Sequence, residues 1–407
     1  MMYAGALFLP PIPLDFTLTA HSKLLPGAFV AVAYLIWRPF FCRGGVFHFS
    51  TLKRLLPLAI GFYVFGHAMN FVFEGNYLVA LNELQWLVYL IAPLLMAWDA
   101  GPPGANYIVK ALIACLGIES ILAVISSFTG PMYGYVVLWY GPRFGTGVFR
   151  AVGTMDSTNS LGGMMAFGAL VCIFAPASVL PVRRALMMVG LLAGVIFSQS
   201  KSAFFSVPIS SLVVCIAGRR WRRMGARDLL SVIGSLGLVL VLVGSLFYFY
   251  GDAVADNMSR DYVERTSLSE RVIVKIAEFD WLQTMFGVGF HGVDYVDPGS
   301  KAWITAHDSY INLLSDLGIC GFVLVNCLFV VMVTTMLRDG QWHLLAGLLG
   351  FLLHFVTEAY LFTPLFIMTL GTLYGLTCVY QRAPKRGASS RHLELAFGRG
   401  SYIGFRA

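Results

Sequence analysis

Long apolar runs, separated by short polar turns, fill most of the chain. They lie near 27–41, 55–73, 78–97, 107–128, 159–179, 185–199, 202–218, 229–250, 317–337, 341–361 and 364–381. Each approaches the ~20 apolar residues that cross ~30 Å of hydrocarbon. The runs are continuous rather than alternating, which sets aside a closed β-barrel. A further run at 3–19 is interrupted by Pro10, Pro11 and Pro13, each of which removes a backbone donor, and it reads as a broken or re-entrant segment. The pattern predicts an all-α polytopic membrane protein of about twelve transmembrane helices. Residues 1–381 read as a single transmembrane domain and 382–407 as a basic tail.

Two long polar segments break the rhythm, one at 130–158 and one at 251–306. Loops of this size are uncommon unless functional or disordered. The second carries a helical signal. Ser267 and Glu270 stand at capping-box spacing, and Val272, Ile273, Ile276 and Phe279 follow as an apolar stripe beside Arg271, Lys275 and Glu278. The spacing predicts an amphipathic helix over 268–284, lying on the outer membrane face or capping the bundle.

Composition agrees: 58% of residues are apolar and 12% charged, against ~45–50% and ~25% in soluble domains. The net charge of +7 reads as topology rather than as affinity for nucleic acid, because Lys and Arg favour cytoplasmic loops. With the basic loop at 218–227 in the cytoplasm and every span crossing once, nineteen of the 28 Lys and Arg residues fall inside. Both termini are then cytoplasmic and the loop 251–306 faces outward. Residues Met1 to Pro10 lack a basic start and a cleavage site, so they read as part of the mature chain. The basic tail would be drawn to anionic lipid. The seven cysteines form no CxxC or Cys/His cluster, so neither a zinc site nor a disulfide framework is expected.

The informative cations are the nine left outside. Arg143 and Arg150 flank GTGVF, Lys201 sits in the tight turn SQSKSAF, and Arg260, Arg265 and Arg271 stud the large loop. A guanidinium fork suits phosphate oxygens; the alternative is pairing with nearby Asp252, Asp256, Asp261, Glu264 and Glu270. His307 opens AHDSYINLLSDLGICGF, where Ile311, Leu314 and Gly318 would share its helical face. Its imidazole can exchange a proton near neutral pH, or serve packing alone. Glu358 lies at the outward end of its span before Pro364. His67, His354, Glu83 and Glu119 lie isolated inside spans and read as structural. Aromatics beside Arg143, among them Tyr133, Tyr135, Trp139 and Tyr140, would stack on sugar or mark the interface.

The order of motifs adds a family resemblance. R-x-x-G-x-x-D-x-x-N (Arg150, Gly153, Asp156, Asn159) is followed by S-x-S-K-S (Ser198, Ser200 to Ser202) and S-E-R (Ser269 to Arg271). GVGF (Gly287 to Phe290) comes next, then the His307 segment ending in G-x-x-G (Gly318, Gly321). Over about 140–325 this order resembles the O-antigen ligase/polymerase superfamily of bacterial envelope glycosyltransferases. Asp308 stands where the family commonly has Asn, and Lys201 where it commonly has Arg.

The resemblance implies a C-type glycosyltransferase architecture in the bacterial inner membrane, with the large loop in the periplasm. It implies transfer of a glycan from an undecaprenyl-diphosphate carrier to an acceptor glycan (polymerase) or to lipid A core (ligase), with no cofactor or metal. By resemblance Arg150 and Arg271 hold the diphosphate with Arg143 helping, and His307 orients or deprotonates the acceptor hydroxyl; Lys201, by its charge in the turn, and Glu358, by its place at the end of its span, are further candidates to line the site. The competing classes are a secondary transporter or lipid-linked glycan flippase, which commonly shows repeated halves and midplane charges, and a non-catalytic scaffold.

Overall fold

The computed structural model describes residues 26–41, 77–129, 150–151, 155, 158–176, 179–180, 184–218, 267–289, 308–356 and 364–382, with short pieces at 12–13, 23–24, 61, 237, 295–296 and 303–304. The described chain is helical apart from two ladders of two residues per strand. β1 (Ile12–Pro13) pairs with β2 (Lys23–Leu24), and β3 (Tyr295–Val296) with β4 (Trp303–Ile304), both antiparallel. The helices are α1 (Pro26–Phe41), α2 (Tyr77–Thr129), α3 (Thr158–Phe174), α4 (Arg184–Ser198) and α5 (Lys201–Ala217). They continue with α6 (267–277), α7 (Trp281–Phe286), α8 (Ser309–Asp339), α9 (Trp342–Phe355) and α10 (Pro364–Arg382).

Nine of the twelve predicted spans fall on these helices. Those at 55–73 and 229–250 lie outside the described residues save for single helical positions, as does the tail beyond Arg382. Of the run 3–19 only Ile12–Pro13 is described, as strand. α2 covers two predicted spans because Gly101, in the Gly-Pro-Pro-Gly stretch, leaves helical geometry at φ 62°, ψ −175°. Two segments, Gly104–Phe128 and Ser309–Asp339, are long and apolar enough to cross a bilayer by length and composition. The other apolar helices are shorter. Outward-facing Ile118, Ile121 and Phe128 of α2, Leu186 of α4 and Val330 of α8 are each more than half exposed. Such apolar flanks suit lipid rather than water.

α3 is the axis of the core. Its sequence is apolar all round, as befits a helix enclosed by others, and every residue but Asn159 is buried. It packs against α4, α5 and α9. Phe167 of α3 stacks on Phe351 of α9 with ring centres 4.7 Å apart, and Phe351 meets Phe366 of α10 at 4.5 Å.

Polar contacts join helix ends. Arg38 donates to Asp99 through Nε at 2.7 Å and Nη2 at 3.1 Å. Tyr380 Oη donates to Asn106 Oδ1 at 2.7 Å, and Gln341 Nε2 to the Thr377 carbonyl at 3.4 Å. Tyr310 Oη, in the first turn of α8, donates to the Leu352 carbonyl in the last turn of α9 at 3.2 Å.

The long segment 251–306 departs from expectation. Instead of one helix over 268–284, α6 ends near 277, the chain turns at 278–280, and α7 starts afresh. The cause is local: Asp280 accepts from Gln283 N at 2.8 Å while Gln283 Oε1 accepts from Asp280 N at 3.2 Å. This reciprocal capping box ends one helix and begins another. The expected stripe also divides. Val272 is 1% exposed and packs with Val288, Ile276, Phe279 and Ile311. Ile273, a helical step of about 100° away, is 50% exposed.

Candidate functional site

The site starts from how α4 ends. Gln199 follows its last residue in left-handed backbone, φ 52°. That conformation commonly closes a helix but is usually occupied by glycine. Ser198 Oγ donates to the Val195 carbonyl at 2.6 Å and accepts from Ser200 N at 3.2 Å. Ser200, extended at φ −82°, then leads into α5, and its hydroxyl lies 3.1 Å from that of Ser202. Lys201, the first residue of α5, is partly exposed. Thus S-x-S-K-S forms a tight turn between two helices, as its spacing implies.

α3 approaches this turn at Gly162. A Cβ there would stand 2.5 Å from Ser200 Cβ and 2.8 Å from Ser198 Oγ, so only glycine allows the approach. On the same side Ala151 N donates to the Phe197 carbonyl at 2.9 Å, fixing the chain beside the end of α4.

That bond brings Arg150 over the turn. Its Nε donates to the Ser198 carbonyl at 3.3 Å and its Nη2 to Asn159 Oδ1 at 3.0 Å. A cation at a helix C-terminus is favoured by the carbonyls left over there. These two bonds orient the guanidinium over the turn. Arg150 is 7% exposed. The structure therefore brings together Arg150, Asn159, Ser198 and the turn that carries Lys201. Asn159 and Ser198 were legible only as letters of the motifs; that they grip the same side chain required the fold.

Arg271 belongs to a different piece. It is exposed on α6, whose buried Val272 seats the helix on Val288 and, through the same cluster, on Ile311 of α8. Asp308 caps α8, accepting from Tyr310 N at 2.7 Å and Ile311 N at 3.3 Å. Asparagine would cap equally well. Burial pushes the Asp308 carboxyl above its ordinary range, against the pull of those two amides. Of the helical face expected from His307 to Gly318, Ile311 and Leu314 lie on α8 but Gly318 falls at a break in it. α8 begins at Ser309, and Gly318 leaves helical geometry at φ 64°, ψ −174°. His307, Arg143 and Glu358 lie outside the described residues, as do Arg260, Arg265 and His67, and of Glu83 only the helical backbone is described. Glu119 and His354 are buried within the bundle, His354 against Gly163.

Fold and turn together define an all-helical membrane protein with a buried, oriented arginine at one helix end. Residues 186–326 match the family model described as O-antigen ligase. Over that stretch, about a third of its length, the chain is similar to the O-antigen ligase family, which supports the resemblance to the ligase/polymerase superfamily. The match takes in the S-x-S-K-S turn, α6, α7 and the first half of α8. It begins after Arg150 and Asn159, which the structure ties to it through Ser198. No curated protein matches the chain.

Proposed function

We propose that the protein is a glycosyltransferase that moves a glycan from an undecaprenyl-diphosphate carrier to an acceptor sugar hydroxyl on the periplasmic face of the inner membrane. It acts as an O-antigen or exopolysaccharide polymerase. The observation that carries this reading is Arg150, buried and held by Asn159 and the Ser198 carbonyl at the turn of the matched domain. A guanidinium presents a planar fork of donors, and a diphosphate is an anion of suitable shape to meet it.

The depth of the turn supports this. α4 has 15 residues and rises about 22 Å, less than the ~30 Å of hydrocarbon. Started at the inner boundary, it ends within the outer leaflet, where a lipid-borne diphosphate is within reach. In the reaction the acceptor oxygen attacks the anomeric carbon as the bond from that carbon to the diphosphate oxygen breaks. The electron pair leaves with the diphosphate, and the hydroxyl proton passes to His307. Arg150 and Arg271, helped by Arg143 and the charge of Lys201, stabilise the departing phosphate. Glu358 contributes from the outer end of its span. The donor is already activated, so no metal or cofactor is required. The large loop lies in the periplasm, and both termini and the basic tail are cytoplasmic, with 1–381 acting as one transmembrane domain.

The matched family's description favours a second reading, ligase, with lipid A core as acceptor. Lipid profiling of a deletion strain separates the two. Single repeats accumulating on carrier indicate a lost polymerase. Full-length polymer on carrier beside bare lipid A core indicates a lost ligase. R271A and H307A should each abolish long-chain glycan at unchanged protein abundance; normal polymer from both variants would refute the assignment.

A further inference from the structure

The turn 287–289 crosses α8 at its break with almost nothing between the two backbones. Gly287 holds φ +79° and Gly318 φ +64°, a region that strains any residue with a Cβ. A Cβ on Gly318 would stand 2.5 Å from the amide nitrogen of Gly287 and 2.5 Å from the carbonyl oxygen of Met285. One on Gly287 would collide with the Asp316 carbonyl. Neither obstacle is the movable end of a side chain.

The crossing is also bonded. Val288 N donates to the Ser315 carbonyl at 3.0 Å and Gly289 N to the Asp316 carbonyl at 2.9 Å. An unbroken helix would keep those carbonyls for residues 319 and 320. Two pieces are fastened here. One is α6, which bears Arg271 and rests on Val288 through Val272. The other is the outer half of α8, residues 309–317, which directly follows His307 and Asp308.

We propose that the Gly287–Gly318 crossing is a positioning device that holds the Arg271-bearing helix against the segment following His307. It rests on the function proposed above, because it matters to turnover only if those two side chains act on one substrate. Gly287 and Gly318 are then positioning residues, and the GVGF and G-x-x-G motifs are the two halves of one joint.

Hydrogen exchange and steady-state kinetics on the full chain in lipid nanodiscs test it. In the unmodified protein the Val288 and Gly289 amides should be among the slowest to exchange in the outward loop, and G318A and G287A should release both. Each variant should lower kcat about a hundredfold, the scale expected when reacting groups shift by about an ångström. KM for the lipid-diphosphate donor should change far less than kcat, because the Arg150 turn is untouched and Arg271 acts chiefly on the departing phosphate. Gly340 is the control: it sits at the far end of α8 with φ +70°, and a Cβ there would make only ordinary contact, 3.6 Å from Trp342 Nε1. G340A carries comparable backbone strain away from the joint and should retain kcat.

Free exchange of the two amides in the unmodified protein would overturn the proposal. So would wild-type turnover in G318A and G287A, or an equal loss of kcat in G340A. A wild-type chain that transfers no glycan sinks the functional reading instead, and the exchange data then judge the joint alone.

Discussion

The core around α3 and the outward assembly of α6, α7 and the first turns of α8 are held together in different ways. The core interlocks large side chains: Phe167, Phe351 and Phe366 pack ring on ring, and α3 is enclosed along nearly its whole length. Among the described residues the outward assembly rests on two buried valines with three partly buried neighbours, and on two backbone hydrogen bonds across a pair of glycines. Segments with few buried apolar contacts open at lower free energy than the core. The Arg150 turn belongs to the first region and Arg271 to the second. Arg150 is therefore held in the more firmly packed region and Arg271 in the more easily opened one.

The largest expected effect lies in the core. Phe351→Ala should cost about 3–5 kcal/mol, and the loss is one of packing, since lipid is as apolar as the interior. Thermal unfolding of the purified chain should shift as a whole, with α3, α9 and α10 losing exchange protection together. Loss confined to the outward loop would contradict the division drawn above.

Next in size is Asn159→Ala. It leaves one buried guanidinium donor without its amide partner, a penalty of about 1–3 kcal/mol. Because Arg150 keeps its bond to the Ser198 carbonyl, the protein should still accumulate in the membrane. Donor KM should rise while acceptor KM holds. An unchanged donor KM would remove Asn159 from the site and weaken the case for Arg150.

Val272→Ala addresses the second region. Removing two buried methyl groups costs about 1–2 kcal/mol, expressed locally as loosened docking of α6. Exchange should quicken at 267–289 and stay unchanged in α3 and α9. A uniform loss of protection would mean that the outward assembly and the core unfold as one unit.

Much of this division was legible in the chain itself. The described helices follow the apolar runs, because a bilayer demands continuous apolar stretches and leaves little freedom in placing them. The break at Gly101 sits in a Gly-Pro-Pro-Gly stretch that announces it. What stayed hidden was choice among faces and partners. The spacing of Val272, Ile273 and Ile276 admits several buried faces, and only contact with Val288 and Ile311 selects the one that leaves Ile273 outside. A second capping box, Asp280 to Gln283, was present in the letters but masked by helical periodicity running through it. Arg150 gave no sign of its partners, nine and forty-eight residues further along.

The smallest expected effect concerns the cap of α8. Asp308 lies just outside the membrane-crossing helix, and burial raises its carboxyl pKa more than the amides of Tyr310 and Ile311 lower it. A carboxyl raised in the folded state binds its proton more tightly there than in the unfolded chain. Its contribution is therefore fully present below the ordinary carboxylate range and is lost as pH rises through the folded value. Asp308→Asn keeps the cap and removes the titration. The wild type should thus lose stability relative to D308N as pH rises across that range, and run parallel to it at neutral pH. Exchange at Tyr310 and Ile311, followed in both proteins across pH, reads the effect where it acts. Were the wild type instead to gain on D308N with rising pH, the two amide bonds would outweigh burial, and the cap would favour a charged carboxylate beside the position of His307.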